Sequence, residues 1–277
     1  MPEGPEIRLS TDALAKVLSD KVVLKLSFEQ PHLRAAAKSF KGKRVLGVEP
    51  RGKAVLTHFE HSVSIYSHNQ LYGQWAIFAQ GAEPASHKLR RIVIDTAMHR
   101  AVLYSASDIE VLATANVAHH PYIFKLGVEL LDPHTTVLDV LAQINLPRWQ
   151  NKLLAQILLD QAFLAGIGNY LRSEILYEAR LHPELKIRQL SDSQKKRLAT
   201  AALAITRRAY RAGGITNQLA RAKKLQKAGV AFAQYRHHVF DRPLAPCWTC
   251  STTVQRIMLA GRQLYWCPSC QGQLKQR

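Results

Sequence analysis

Four cysteines, all within the last 31 residues, constrain this chain more than any other feature. Cys247, Cys250, Cys267 and Cys270 fall in the pattern C-x2-C-x16-C-x2-C. A two-residue gap lets both thiolates of a pair reach one ion from a tight knuckle. Two such pairs supply the four soft ligands of a closed tetrahedral zinc site. The alternative, two disulfides, suits secreted chains, and nothing in the sequence suggests secretion. The spacing therefore predicts one structural Zn2+, with no open coordination position and no part in chemistry. Between the pairs, β-branched and aromatic residues flank Ala260-Gly261. That pattern predicts a hairpin with Arg262 at its tip.

The charge balance points to the partner. Across 277 residues, 38 Lys+Arg against 20 Asp+Glu leave a net charge of +18, an excess that suits a polyanion, either nucleic acid or an anionic membrane surface. No run approaches the roughly 18 apolar residues of a membrane span. The start, Met1-Pro2-Glu3-Gly4-Pro5-Glu6, is acidic and lacks the apolar stretch of a signal peptide. The expectation is a soluble cytoplasmic protein, monomeric, that binds nucleic acid and no membrane.

Two regimes of patterning follow along the chain. Residues 7–18 carry Ile7, Leu14, Val17 and Leu18 at helical spacing, with Pro5 and Glu6 suited to the helix start. From about 22 to 105 come short β-rich runs, among them Ala54 to Phe59, Val63 to Tyr66, Trp75 to Phe78 and Ala101 to Tyr104. Turns separate them at fairly regular intervals, as in an antiparallel sandwich or barrel. The pattern breaks around Gly127 to Pro133. Beyond it, apolar stripes at Leu153–Leu158, Leu171–Leu176 and within 193–211 predict helices. The first two flank Leu164-Ala165-Gly166-Ile167-Gly168-Asn169, a turn that exposes N–H groups suited to a backbone phosphate at the second helix start. Residues 207–242 hold nine Lys/Arg opposed only by Asp241. We read this segment as phosphate-facing, with Gly213-Gly214 to Gly229 forming a loop that orders on DNA.

Four segments taken together carry a resemblance. They are Met1-Pro2-Glu3-Gly4-Pro5-Glu6, then Ser67-His68-Asn69-Gln70-Leu71-Tyr72-Gly73, then Asp160-Gln161 through Ala165-Gly166-Ile167-Gly168-Asn169-Tyr170-Leu171, and finally Gly261-Arg262-Gln263-Leu264-Tyr265-Trp266-Cys267-Pro268-Ser269-Cys270-Gln271. In this order, end to end, the chain resembles the formamidopyrimidine-DNA glycosylase superfamily in its bacterial endonuclease VIII branch. The resemblance implies an α+β fold: an N-terminal antiparallel β-sandwich with flanking helices, and a C-terminal helix–two-turn–helix domain with a zinc ribbon hairpin. The expected boundaries are 1–126 for the catalytic sandwich, 127–133 for a hinge, 134–240 for the helical DNA-binding domain and 241–277 for the ribbon. The implied activity is base-excision repair: a DNA glycosylase that removes oxidised pyrimidines from double-stranded DNA and a lyase that cuts at abasic sites.

The chemistry of the residues agrees with that expectation. Removal of Met1 leaves Pro2 as a secondary amine, which can form an iminium ion with a sugar C1′ and so act as an electron sink. The helix start just downstream opposes the ammonium form, while Glu3 and Glu6 favour it. The resemblance assigns Pro2 as the Schiff-base nucleophile and Glu3 as proton donor. Glu6 keeps two readings, a helix-dipole carboxylate or a hydrogen-bonding group in the site. Lys53, in Arg51-Gly52-Lys53, is implied in β-elimination, and Arg262 in δ-elimination and phosphate binding. Gln70, Leu71 and Tyr72 form the wedge implied to fill the space left by a flipped base. Asn169 is the implied phosphate-binding asparagine. Lys125 stands where the family more often has Arg, so a point charge replaces a bidentate fork.

Two other functions fit part of this pattern. One is excision of formamidopyrimidines and 8-oxoguanine, although the single Gln-Leu-Tyr wedge argues for the pyrimidine branch. The other is a non-catalytic zinc-dependent DNA-binding protein, which gives no reason for Pro2-Glu3 with a distant Lys53.

Overall fold

The structure is a computed structural model that describes residues 2–259 and 261–272. Met1, whose removal is expected, and Ala260 of the expected hairpin turn lie outside the described residues, as do residues 273–277. The chain divides into two compact units, Met1–Pro2 with Glu6–Phe124 and Glu3–Pro5 with Lys125–Arg277.

Most of α1 (Gly4–Leu18), from Glu6 on, belongs to the first unit and buries Ile7, Leu14 and Leu18 at the helical period. Eight strands follow: β1 (Lys25–Phe28), β2 (Val45–Arg51), β3 (Ala54–Phe59), β4 (Val63–His68), β5 (Gln74–Ala79), β6 (Arg90–Asp95), β7 (His99–Tyr104) and β8 (Asp108–Ala113). They form two antiparallel four-stranded sheets, ordered β2-β3-β4-β8 and β1-β6-β7-β5. Alternation along β3 sorts its side chains to two faces. Val55 and Phe59 join a core shared with Ile65, Phe28, Ile92, Ile94 and Leu103. Ala54 and Leu56 face the other way, with Tyr66, under Val117, Tyr122 and Ile123. Tyr122 and Ile123 belong to the one-turn α2 (Pro121–Phe124). The sandwich expected from period-two runs is present. Inside the span read as β-rich, however, Pro31–Phe40 winds as 3-10 helix, with Leu33 and Phe40 buried. The proline at its start presets the backbone for a helical turn.

The second unit is mostly helical. The short strands β9 (Val128–Glu129) and β10 (Leu164–Ala165) pair in parallel. Between them lie α3 (Val137–Asn145) and the one-turn α4 (Leu154–Ile157). Then come α5 (Asn169–Glu178), α6 (Asp192–Arg211), α7 (Leu219–Lys227) and α8 (Phe232–Tyr235). The ribbon strands β11 (Gln255–Leu259) and β12 (Arg262–Trp266) and the short α9 (Pro268–Gln271) complete the described chain. Capping boxes at Thr136/Asp139 and Ser191/Gln194 start α3 and α6. One core gathers Val140, Ile144, Leu154, Leu171, Ile175, Leu198 and Ile205 with Leu264 and Trp266 of the ribbon. The basic middle expected as a loop is α7 instead. Its Ala222 is buried, while Lys223, Lys224 and Lys227 are exposed.

Candidate active site and metal centre

The start of α5 is already occupied by a carboxylate of the same chain. Glu3 is only 2% exposed. Its Oε2 accepts from the N–H groups of Gly168 (2.7 Å) and Leu171 (3.1 Å), and its Oε1 from that of Tyr170 (2.8 Å). Three orphan amides at the positive end of the helix dipole are met by one anion. A side chain at 168 would put Cβ 2.4 Å from the Glu3 carboxyl carbon, so only glycine lets the carboxylate sit there. Gly4 donates its N–H to the Gly166 carbonyl at 2.8 Å, fastening the segment beside it. The expectation that these amides face a phosphate is thus corrected for Gly168, Tyr170 and Leu171.

Asn169 keeps its side chain on the partly exposed side of this turn. Its Oδ1 accepts from the Arg172 guanidinium at 2.6 Å. Arg172 is fully buried and also donates to the carbonyls of Ala155 (3.2 Å) and Gln263 (2.9 Å). The Gln263 carbonyl lies next to Arg262, which begins β12 opposite Leu259 and is exposed. Arg172 thus ties the first turn of α5 to the hairpin that carries Arg262. Burial, reinforced by the Arg262 charge and opposed by Glu3, lowers the Arg172 pKa to about 10.

In the first unit, Pro2 lines a cleft of about 410 Å³ together with Glu6, Asn69, Leu71, Tyr72 and Trp75. Leu71 is 54% exposed and Tyr72 is 76% exposed, an unusual display for side chains of this size in consecutive positions. They protrude from the turn between β4 and β5. The Gly73 N–H closes that turn on the Asn69 carbonyl at 2.7 Å. Gln70 takes a left-handed φ of 51°. Its N–H donates to His68 Nδ1 at 3.0 Å, and its Oε1 accepts from Ser107 Oγ at 2.6 Å. Burial pushes the His68 pKa down. Asp108 opposes that shift and Lys53 adds to it. A neutral ring with Nδ1 as acceptor fits this environment.

Lys53 sits in the two-residue turn between the paired Arg51 and Ala54. Gly52 supplies the positive φ of 58° that such a turn needs. Lys53 is buried, and its N–H donates to the Tyr122 hydroxyl at 2.9 Å. Lys125 opens the longer segment of the second unit and is exposed.

The four cysteines converge. All four Sγ atoms lie within 4.8 Å of one another. Cys250 Sγ is 3.4 Å from that of Cys267, and Cys247 Sγ is 3.8 Å from that of Cys270. These distances exclude disulfides, and all four thiols are free. Two sulfurs at about 2.3 Å from a tetrahedral zinc lie about 3.8 Å apart, so the donor set fits that ion.

Sequence reasoning missed the cluster behind α5. The fully buried Glu174 accepts at Oε2 from Thr216 Oγ1 (2.6 Å) and the His238 N–H (2.8 Å). At Oε1 it accepts from the N–H groups of Val239 and Phe240. Burial raises its pKa, but the hydrogen bond from His238 and the neighbouring charges outweigh that and hold it well below the usual carboxylate range. His237 stacks on Tyr170 at 5.1 Å. Burial takes the His237 pKa down to about 4. The basic segment is therefore pinned at its base to the helix that begins with Asn169. A glutamate inside an apolar helix stripe was the available signal.

Comparisons with known proteins agree with this arrangement. Residues 1–107 match the formamidopyrimidine-DNA glycosylase N-terminal domain, and residues 126–221 match the formamidopyrimidine-DNA glycosylase H2TH domain. The chain is similar to "Endonuclease 8" of Klebsiella pneumoniae (strain 342), 41% identical over 98% of this chain and 100% of the relative. It is 40% identical, with the same coverage, to "Endonuclease 8" of Escherichia coli (strain K12 / DH10B). Among solved structures, the Lactococcus lactis Fpg bound to DNA containing an abasic site superposes with a TM-score of 0.81 at 21% identity, over 98% of this chain and 100% of that one.

Proposed function

The chain belongs to the formamidopyrimidine-DNA glycosylase family, and on that premise we propose that it is a bifunctional DNA glycosylase and abasic-site lyase acting on oxidised pyrimidines in duplex DNA. One observation carries the reading: Pro2 lines a base-sized cleft bordered by the exposed Leu71 and Tyr72. A flipped nucleotide needs a nucleophile at its sugar and a side chain to fill the gap it leaves, and this cleft offers both.

The steps follow from the residues. After removal of Met1, the Pro2 nitrogen attacks C1′ and the bond from C1′ to the base breaks. Glu3 handles the proton that the opening sugar and departing base require. Its three backbone hydrogen bonds hold it in one position. The resulting iminium cannot lose an N–H proton, so it draws electrons from the sugar. Loss of a C2′ proton expels the 3′ phosphate, with Lys53 serving this β-elimination. Loss of a C4′ proton then expels the 5′ phosphate. Arg262 stabilises that leaving group electrostatically, because a guanidinium rarely gives up its proton. Asn169 and Lys125 hold backbone phosphates, and Gln70, Leu71 and Tyr72 enter the stack. Cys247, Cys250, Cys267 and Cys270 bind one zinc ion, which closes the ribbon and supplies no open coordination position for chemistry.

Borohydride reduction on DNA with an abasic site or thymine glycol tests the reading. A covalent adduct that maps to Pro2 by peptide mass analysis is expected. An adduct elsewhere, or none, would overturn it. Comparing rates on 5-hydroxyuracil and on 8-oxoguanine opposite cytosine separates the pyrimidine activity from its purine counterpart.

A further inference from the structure

Among the described residues, three hydrogen bonds hold the turn of residues 69–73. Two are local: the Gly73 N–H donates to the Asn69 carbonyl, and the Gln70 N–H to His68 Nδ1. The third comes from 37 residues away, where Ser107 Oγ donates to Gln70 Oε1 at 2.6 Å. Ser107 lies in the connection between β7 and β8. Close to it in sequence, Ala106 and Ile109 are buried in the sandwich core. Its carbonyl accepts from Gln30 Nε2 at 2.7 Å. A carbonyl can only accept, so this bond also fixes which way the Gln30 amide is turned. A line of contacts therefore runs from the core through Ser107 to Gln70, and the exposed Leu71 and Tyr72 follow directly. All of these residues belong to the first unit. The outer bond adds little to stability, because Ser107 and Gln70 are both exposed and such a bond replaces one to water at small net gain. Gln70 also holds a left-handed φ of 51°, which glycine would adopt more easily. A side chain of high rotamer entropy, in an unfavourable backbone conformation and tied at its tip to another loop, suits a part made ready before its partner arrives.

We propose that Ser107 is a positioning residue that presets the Gln70-Leu71-Tyr72 turn for insertion into the duplex, with Gln30 holding Ser107 in place. This rests on the glycosylase reading and deepens it. A free glutamine entering the base stack loses its rotamer freedom at that moment. One already held has lost it beforehand, so the barrier to insertion is lower. The advantage counts where a base must leave an intact stack and shrinks where the base is already unpaired.

The test combines a substrate change with a protein change. Single-turnover excision of 5-hydroxyuracil is measured in a fully paired duplex and in one where the lesion lies within a run of mismatches. Ser107→Ala is expected to slow excision about fourfold in the paired duplex, the scale of one hydrogen bond, and much less in the mismatched one. Ser107→Thr keeps the hydroxyl and should restore the rate. In a Gln70→Ala background, Ser107→Ala should have no further effect, since the two side chains act through one contact. Thermal unfolding should stay unchanged throughout. Equal slowing on both duplexes, or slowing that persists in the Gln70→Ala background, would make Ser107 merely structural and overturn the proposal. A normal rate for Ser107→Ala beside a slow Gln70→Ala would overturn it and leave the insertion of Gln70 standing. A normal rate for Gln70→Ala would remove that insertion and the proposal together. Borohydride trapping of the unaltered protein on abasic DNA reports separately on the Pro2 reading.

Discussion

Glu3 and Pro2 are neighbours for which different duties are proposed. Glu3 is fixed by three amides of α5, and this fixes where the chain end begins. An extension left on the N-terminus should abolish the borohydride adduct while thermal unfolding stays unchanged. Loss of folding in that form would mean that the terminus is structural. Gly168→Ala should cost more. Its Cβ collides with the Glu3 carboxyl, so both the thermal midpoint and the excision rate should drop, and a variant with normal values in both would contradict the packing described here. Pro2 and Glu3 were singled out through resemblance, but the docking of Glu3 was not legible. Its partners lie 165 residues away, and no local pattern encodes a contact at that separation.

At the scale of elements, the β-rich runs gave most of the sandwich strands but stopped short of β8 (Asp108–Ala113), and apolar stripes gave α1, α5 and α6. The segment 219–227 deceived because Gly213-Gly214 and Gly229 bracket it and only Leu219, Ala220, Ala222 and Leu225 are apolar. It is a helix with a narrow apolar edge and a basic face, based at Glu174. Replacing Lys223, Lys224 and Lys227 with Ala should weaken DNA binding and flatten its salt dependence. The slope of log K against log salt should fall by about 0.9 for each phosphate no longer neutralised. An unchanged slope would mean that this face is only solvated. The ribbon gives a second test. Cys250→Ser removes one of four converging sulfurs, so the hairpin bearing Arg262 should loosen and DNA affinity should fall. Normal affinity with the metal gone would separate the ribbon from binding.

Across the whole molecule, the acid limit of stability follows from buried groups. His237 titrates near 4 in the fold against an ordinary 6.5, facing Glu174, Arg236 and His238. A histidine with a depressed folded pKa stabilises the neutral fold above pH 6.5. That contribution is lost as pH falls from about 6.5 toward 4. Denaturant unfolding should therefore show lower stability at pH 5 than at pH 7.5, and His237→Phe should flatten the dependence with zinc retained. The same slope in the variant would assign the effect elsewhere. The net charge of +18 was plain from composition and supports steering toward a polyanion.

The bond between Glu3 and the start of α5 also bears on synthesis. During translation the amine end emerges first, but the amides that fix its neighbour are made 165 residues later. An interrupted polypeptide therefore carries Pro2 without the anchor beside it. Docking of Glu3 at the start of α5 is completed only after more than half of the protein has been made.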